Sequence, residues 1–297
     1  MRKPLITNLA VRFRLPGCDL TPKQCSPTLQ APSSDRGHAE PCQEQWYVRG
    51  TTMSADESRK IALVGREMVA DHTMSFRFEK PSGWQFRAGQ SIDMTLLDPP
   101  ETDSEGDVRA FSISSAPRED FLQVTTRLRD TAFKRVLQQV PLGTEVKTEG
   151  PFGDFRLHRA DRPAVLLAGG IGITPFRSML VEAIAGGGSL PYHVILFHAN
   201  RRPEDAAFAD EFLALARQDS NLTFVPTMTA AVPTSGRAWD GERGHIDEAM
   251  LSRHLDGVDH PICYVAGPPG MVQTTRAALV ASGVDEDGIR TEEFTGY

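Results

Sequence analysis

The sequence predicts a two-domain chain of β plus α/β class: an antiparallel six-stranded β-barrel, then an α/β domain built on a parallel sheet. Three observations predict it. The 297 residues are enough for two domains, each with its own core. Six short runs rich in β-branched and aromatic residues fill residues 60–150, separated by Gly, Pro, Asp and Glu. After Arg162 the rhythm changes to alternating strand and helix.

Taken in order, residues 1–52 read as a disordered extension. They are rich in Pro, Ser, Gln and Cys and sustain no helical or strand period. A transit peptide and a natural start at Met53 are the alternatives. The barrel is assigned to 53–160. Its strands are KIALVGREMVA, TMSFRFE, SIDMTLL, VRAFSISS, LQVTTRL and EVKTEG. One helix interrupts them, TAFKRVLQQV, with Phe133, Val136, Leu137 and Val140 at helical spacing. Six antiparallel strands avoid open edges by closing into a barrel. The second domain is assigned to 161–297. PAVLLAGG, HVILFHA, LTFVPTMT, ICYVAG and IRTEEF are its strands. TPFRSMLVEAIA, PEDAAFADEFLALARQ, IDEAMLSRHL and PGMVQTTRAALVAS are its helices, placed on both faces of a Rossmann-like parallel sheet.

Composition excludes several classes. The extension holds seven basic and four acidic residues, leaving 25 basic and 35 acidic in the body. Such a body is a poor nucleic-acid or anionic-membrane binder. No apolar run approaches the roughly 20 residues of a membrane span, so no transmembrane segment is expected. Cys18, Cys25 and Cys42 lie in the extension at spacings that match no common metal pattern, and Cys263 is alone in a strand. That usage fits a reducing cytoplasm. The eight histidines never pair at ligand spacing, and no metal is expected.

Three strings carry the chemistry, in order: RAFS (109–112), GGIGITPFRSML (169–180) and AGPPGM (266–271). In RAFS, Arg109 and Phe111 face one side of a strand, Ala110 and Ser112 the other. An arginine in an apolar strand needs an anionic partner, and a diphosphate would supply one. In GGIGITP a buried strand runs into glycines and a helix. Gly170 and Gly172 allow a tight turn and close approach to a diphosphate. Thr174 suits a helix cap, and Pro175 suits a first helical turn. AGPPGM ends a later strand in the same manner, with Gly267, Pro268 and Pro269 leading into a helix at Met271. Together the strings describe two nucleotide sites on one polypeptide, a flavin beside a nicotinamide.

From Lys60 to Tyr297 the chain resembles the ferredoxin–NADP reductase-like superfamily of flavoprotein oxidoreductases. RAFSISS resembles its RxYS flavin motif, with Phe111 for tyrosine, and GTEVKTEGPFGDF its barrel-closing strand and turn. LLAGGIGITPFRSML and YVAGPPGMV resemble its two nicotinamide-nucleotide motifs, and EEFTGY its C-terminal strand. The resemblance implies FAD in the barrel. Arg109 would bind the diphosphate, Phe111 would stack on the ring, and Ala110 would belong to the same cofactor-binding set. Ser112 would bond near flavin N5. Thr125, Thr126 and Arg127 would contact the flavin edge, and Thr131 to Lys134 would open the helix by the diphosphate. Gly170, Ile171, Gly172, Thr174 and Pro175 would receive the phosphates of NADPH or NADH. Gly267, Pro268, Pro269 and Met271 would flank the nicotinamide, with Ala266 where many relatives carry cysteine. Some members place a terminal aromatic over the flavin face that nicotinamide must occupy, which would give Tyr297 a catalytic role; a tyrosine packed on the barrel or exposed is the alternative. In HANRRPED, Arg201 and Arg202 favour a 2′-phosphate, while a solvated turn is the plainer reading of the pair; NADPH and NADH both stay open.

The implied activity is that of an NAD(P)H-dependent FAD oxidoreductase. It passes hydride to flavin and then electrons to a separate protein or small-molecule acceptor. A non-autonomous electron-transfer subunit of an oxygenase or membrane complex is the alternative, and a flavin-binding redox sensor without turnover is a third.

Overall fold

Where the hydrophobic period is two, strands form; where it lengthens to that of a helix, helices form. The computed structural model describes residues 58–184, 188–230 and 239–294. The predicted extension and Tyr297 lie outside the described residues.

The first half contains β1 (Arg59–Ala70), β2 (Thr73–Glu79), β3 (Ser91–Leu96), β4 (Val108–Ser112), β5 (Phe121–Arg127), α1 (Ala132–Gln139) and β6 (Glu145–Phe152). These are the six strands and one helix expected from the sequence. All pairings are antiparallel, in the order β4-β3-β6-β1-β2-β5. The end strands meet at one isolated bridge, Ile113 with Val124, so closure is local rather than a full ladder. Alternate residues point inward: Phe76 and Phe78 from β2, Ile92 and Met94 from β3, Leu122 and Val124 from β5. Phe133, Val136 and Leu137 of α1 join the same core, as their helical spacing requires. Each such side chain contributes roughly 1.5–3 kcal/mol by leaving water.

The second half contains β7 (Ala164–Gly169), α2 (Ile173–Ile184), β8 (Val194–Asn200), α3 (Ala209–Gln218), β9 (Leu222–Met228), β10 (Glu242–Arg243), α4 (Glu248–His254), β11 (Ile262–Gly267), α5 (Pro269–Ala281) and β12 (Ile289–Glu293). The sheet is parallel, ordered β10-β9-β8-β7-β11-β12. One face, with Leu166, Ala168 and Leu196, packs against Phe176 and Leu180 of α2 and Phe212 of α3. The other, with Val165, Leu167 and Val265, packs against Leu251 of α4 and Leu279 of α5. Burial on both faces explains why β7 and β11 read as unbroken apolar runs.

One predicted helix is shorter than expected. PEDAAFADEFLALARQ begins as a single 3-10 turn, Pro203–Asp205, and α3 starts only after Phe208, whose φ is 62°. The Asp205 carboxylate accepts the Arg202 backbone N–H at 3.2 Å and closes that turn on itself.

The strand order sets the site. From β7 the chain builds outward through β8 and β9, then returns to the other side with β11 and β12. The crevice at the C-terminal ends of β7 and β11 is therefore a topological switch point, where ligands of open α/β sheets bind. Both Gly/Pro turns stand there. Helix α2 carries this crevice to the barrel. Arg177 donates to the Ser114 carbonyl at 2.7 Å and to Glu119 at 3.0 Å, and Ser178 donates to the Ser115 carbonyl at 2.6 Å.

Candidate functional site

A cleft of about 500 Å³ opens where the barrel meets the start of α2, within the size range of small-molecule and cofactor sites. Strand β4 lends it Arg109, Ala110, Phe111 and Ser112, and β5 lends Thr125 and Thr126. Thr131 and Lys134 come from the start of α1, and Ile171 and Thr174 from the glycine turn and α2. Ten residues singled out in the sequence, spread over 66 positions, thus share one cavity.

Their polar atoms fall into two groups. Thr125 Oγ1 is spent internally, 2.8 Å from both Ser75 Oγ and Ser114 Oγ. Ser112 Oγ and Thr131 Oγ1, by contrast, are buried without a partner. Thr131 precedes α1 but does not cap it. Asp103 does so instead, accepting the Ala132 N–H at 2.7 Å, which leaves the threonine hydroxyl to the cleft. A buried polar atom without a partner costs about 1–3 kcal/mol, so two in one cavity mark a place for a ligand.

The charge is also arranged for an anion. Arg109, Arg129 and Lys134 line the cleft, with Glu105 as the one carboxylate among the described residues there. Burial, with Arg129 and Arg109 nearby, pushes the Lys134 ammonium down to about 8. The Arg109 guanidinium is oriented by its own loop. Nη1 donates to the carbonyls of Glu105 (2.8 Å), Gly106 (3.1 Å) and Val108 (2.7 Å), and Nη2 donates to the Glu105 carboxylate at 2.9 Å. Its face lies 5.3 Å from the Phe133 ring. Phe111 is 8% exposed and packs on Phe133 with centroids 5.8 Å apart, joining cleft to core.

The two Gly/Pro turns meet beside the cleft. Gly170 has φ 54°, the left-handed region that favours glycine. Gly172 lies so close to β11 that a Cβ there would stand 2.1 Å from the Ala266 carbonyl oxygen. Pro268 and Met271 close on Gly169, where a Cβ would meet each at 3.1 Å. Pro269 opens α5, and Gly267 accepts the Phe294 N–H at 2.9 Å. Pro175 lies in the first turn of α2; Thr174 Oγ1 donates to the Ile171 carbonyl at 3.0 Å rather than capping the helix.

Residues 166–277 match the family described as "Oxidoreductase NAD-binding domain". The ferredoxin–NADP reductase B of Sorangium cellulosum is 30% identical over 250 residues, covering 80% of this chain and 98% of that protein. The chain belongs to the ferredoxin–NADP reductase-like family. This is a family of FAD- and nicotinamide-using oxidoreductases. The reductase component of the propane 2-monooxygenase of Rhodococcus jostii is 27% identical over 220 residues; the match covers 73% of this chain but only 57% of that protein. A ferredoxin NADP+ reductase from Neisseria gonorrhoeae, solved with bound FAD and NADP, shares the fold at a TM-score of 0.65 and 21% identity, over 80% of this chain and 98% of that one.

Within the family frame, two expected contacts go elsewhere. Arg127 points out of the cleft to Asp205, 3.5 Å away. Arg202 is held by Asp205 at 2.8 Å and by Asp71 of the β1–β2 turn at 2.7 Å, which leaves Arg201 as the exposed member of the pair. Sequence reasoning missed Arg129 and Phe294, both in the cleft wall. Arg129 lies past the end of β5, where strand alternation gives no signal. It also missed Glu292 on β12, opposite Ala266. Burial pushes that carboxyl up to about 7, and its Oε2 has no partner.

Proposed function

We propose that this protein oxidises NADPH or NADH and passes the electrons through FAD to a separate acceptor, a protein of the ferredoxin or oxygenase type or a small molecule. The observation that carries this reading is the cleft itself: two unpartnered buried hydroxyls and a cationic wall, adjoining the paired glycine turns of the switch point.

The residues fit FAD. Arg109 and Lys134 hold the diphosphate, with Thr131 donating beside them, while Ala110 leaves room along β4. Ser112 donates toward the reacting nitrogen of the ring, Phe111 and Thr125 support the ring's wall, and Thr126 borders it. When bound, the flavin supplies acceptance of a hydride and release of electrons singly or in pairs. Gly170, Ile171, Gly172, Thr174 and Pro175 receive the phosphates of the nicotinamide dinucleotide at the N-terminus of α2. Gly267, Pro268, Pro269 and Met271 form the opposite wall. The chain's own work is alignment: α2 ties the two halves together and the apolar walls exclude water. We keep the division between a flavin half ending at 160 and a nucleotide half starting at 161 as part of this proposal, with cytoplasmic placement, which the unpaired, buried Cys263 supports. Among the described residues no helix is long and apolar enough to cross a membrane.

A second reading, an electron-transfer subunit that works only within a larger oxygenase, is favoured by one comparison: the chain spans 57% of the propane 2-monooxygenase reductase component. An acceptor panel separates the two. Turnover of NADPH or NADH with ferric chelates, quinones, ferredoxin and flavodoxin supports the autonomous enzyme. Flavin reduction without turnover on any of them, and a stoichiometric partner on purification, support the subunit. Failure of both dinucleotides to reduce the flavin rejects both.

A further inference from the structure

Strand β8 buries a histidine that none of the chemistry above uses. His198 is 1% exposed and lies on the sheet face with Leu196, in register with Ala168 of β7 and Pro226 of β9. An imidazole is costly to bury there without hydrogen bonds. It has one, from Nε2 to the Gly170 carbonyl at 3.0 Å. A carbonyl only accepts, so Nε2 carries the proton, and Nδ1 is left bare and without a partner. Burial pushes the group down to about 4, so it stays neutral through the ordinary working range.

The bond has a consequence one peptide further on. Gly170 O accepts two donors, His198 Nε2–H and the Ile173 N–H, which together fix the direction of that carbonyl. A trans peptide is planar, with its C=O and N–H antiparallel. Because the Gly170 carbonyl is drawn down onto the sheet, the Ile171 N–H must point away from it. Ile171 lines the cleft at the head of α2. At the other end of the turn, Gly172 is wedged against the Ala266 carbonyl. Between these two fixed points the Ile171 N–H is the group turned away from the sheet, toward the cleft that Ile171 lines. A 170–171 peptide turned over would aim an oxygen at an anion, and glycine at 170 tolerates the change of ψ that this needs.

We propose that His198 is a positioning residue for the diphosphate of the nicotinamide dinucleotide, acting through the Gly170–Ile171 peptide without touching the ligand. This rests on the reading of the glycine turn given above.

The test compares His198→Leu, His198→Gln and His198→Asn in the flavin-loaded protein. Gln keeps a donor long enough to reach Gly170; Asn is too short, and Leu has none. The readouts are calorimetric affinity for NAD+ and NADP+, KM and kcat for the reduced forms, flavin content and thermal midpoint. Leu and Asn should weaken dinucleotide binding at least tenfold and raise KM far more than they lower kcat, with flavin content retained. Gln should restore affinity to within about threefold of wild type. If His198→Leu fails to fold, the Gln–Asn pair alone decides. Wild-type affinity in folded Leu or Asn variants, or a Gln variant no better than Asn, overturns the proposal. A wild-type protein that holds flavin yet binds neither NAD+ nor NADP+ overturns the reading beneath it instead.

Discussion

Ser112 Oγ is a hydroxyl that folding has buried and left unpaired, in a strand where the sequence placed a flavin contact. Ser112→Ala removes that cost, so the protein should be no less stable, yet it should lose a donor whose bond strengthens as charge develops in the transition state. Single-turnover reduction by NAD(P)H should slow by roughly 10², with flavin content unchanged; a rate within about twofold of wild type would remove the serine from the mechanism. Lys134 gives a pH test. In the free protein its ammonium is pushed down to about 8 by burial and by Arg129 and Arg109. A bound diphosphate favours the charged form, so binding takes up a proton above that point. The affinity of the apoprotein for FAD should fall as pH rises above about 8, and Lys134→Met should flatten this dependence while weakening binding at neutral pH. Equal pH profiles for the two proteins would contradict it. At this scale the sequence was most legible where a residue's role is local. RAFS brought four residues to the cleft because they are consecutive on one short strand at its rim. Asp205, three residues past Arg202, was a visible partner for it, whereas the pairings of Arg127 with Asp205 and of Arg202 with Asp71 join residues far apart in sequence and were not legible.

At the level of elements, the glycine turn of β7 separates two physical demands that the letters GGIG do not distinguish. Gly170 needs its conformation, with φ 54° and open space at the Cβ position; Gly172 needs its size, with the Ala266 oxygen 2.1 Å from a would-be Cβ. Gly170→Ala should therefore cost about 1–2 kcal/mol of backbone strain and leave a folded protein. Gly172→Ala must push β11 from β7 at the nicotinamide wall, and should lower the thermal midpoint far more and abolish dinucleotide binding. Thermal melts and NAD(P)+ titration of the two variants check this; similar behaviour of both would deny the asymmetry. The strands and most helices were legible because period and turn residues agree along them. The exceptions are instructive. β10 has two residues, too few for any period. The break before α3 depends on Phe208 taking a left-handed conformation, its ring under the Arg177 guanidinium at 5.3 Å, a contact made through tertiary packing.

At the scale of the whole molecule, ion pairs among the described residues tie the barrel half to the α/β half at two places. Arg177 bridges Glu119 and Glu211 through α2. Asp71 of the β1–β2 turn and Arg127 at the end of β5 meet Arg202 and Asp205 beyond β8. Arg202 thus has a structural occupation, and Arg202→Ala should affect NADH and NADPH alike by loosening this clasp. Arg201→Ala should be the change that discriminates, weakening NADPH while sparing NADH if the 2′-phosphate is bound. Affinities of each variant for both dinucleotides decide it; a selective loss of NADPH in Arg202→Ala would show that the clasp opens to take the phosphate. The two-sheet architecture was legible from the change of rhythm near Arg162, but this clasp was not, since its partners lie 131 positions apart. On the proposed reading the cleft holds a flavin reduced by a nicotinamide bound at the switch point. Anaerobic mixing of the purified protein with NADPH and with NADH tests it most directly. The protein should be yellow, with one FAD per chain, and bleached by at least one of the two; a colourless protein that cannot be reconstituted with FAD, or a flavin that neither dinucleotide reduces, would overturn this reading.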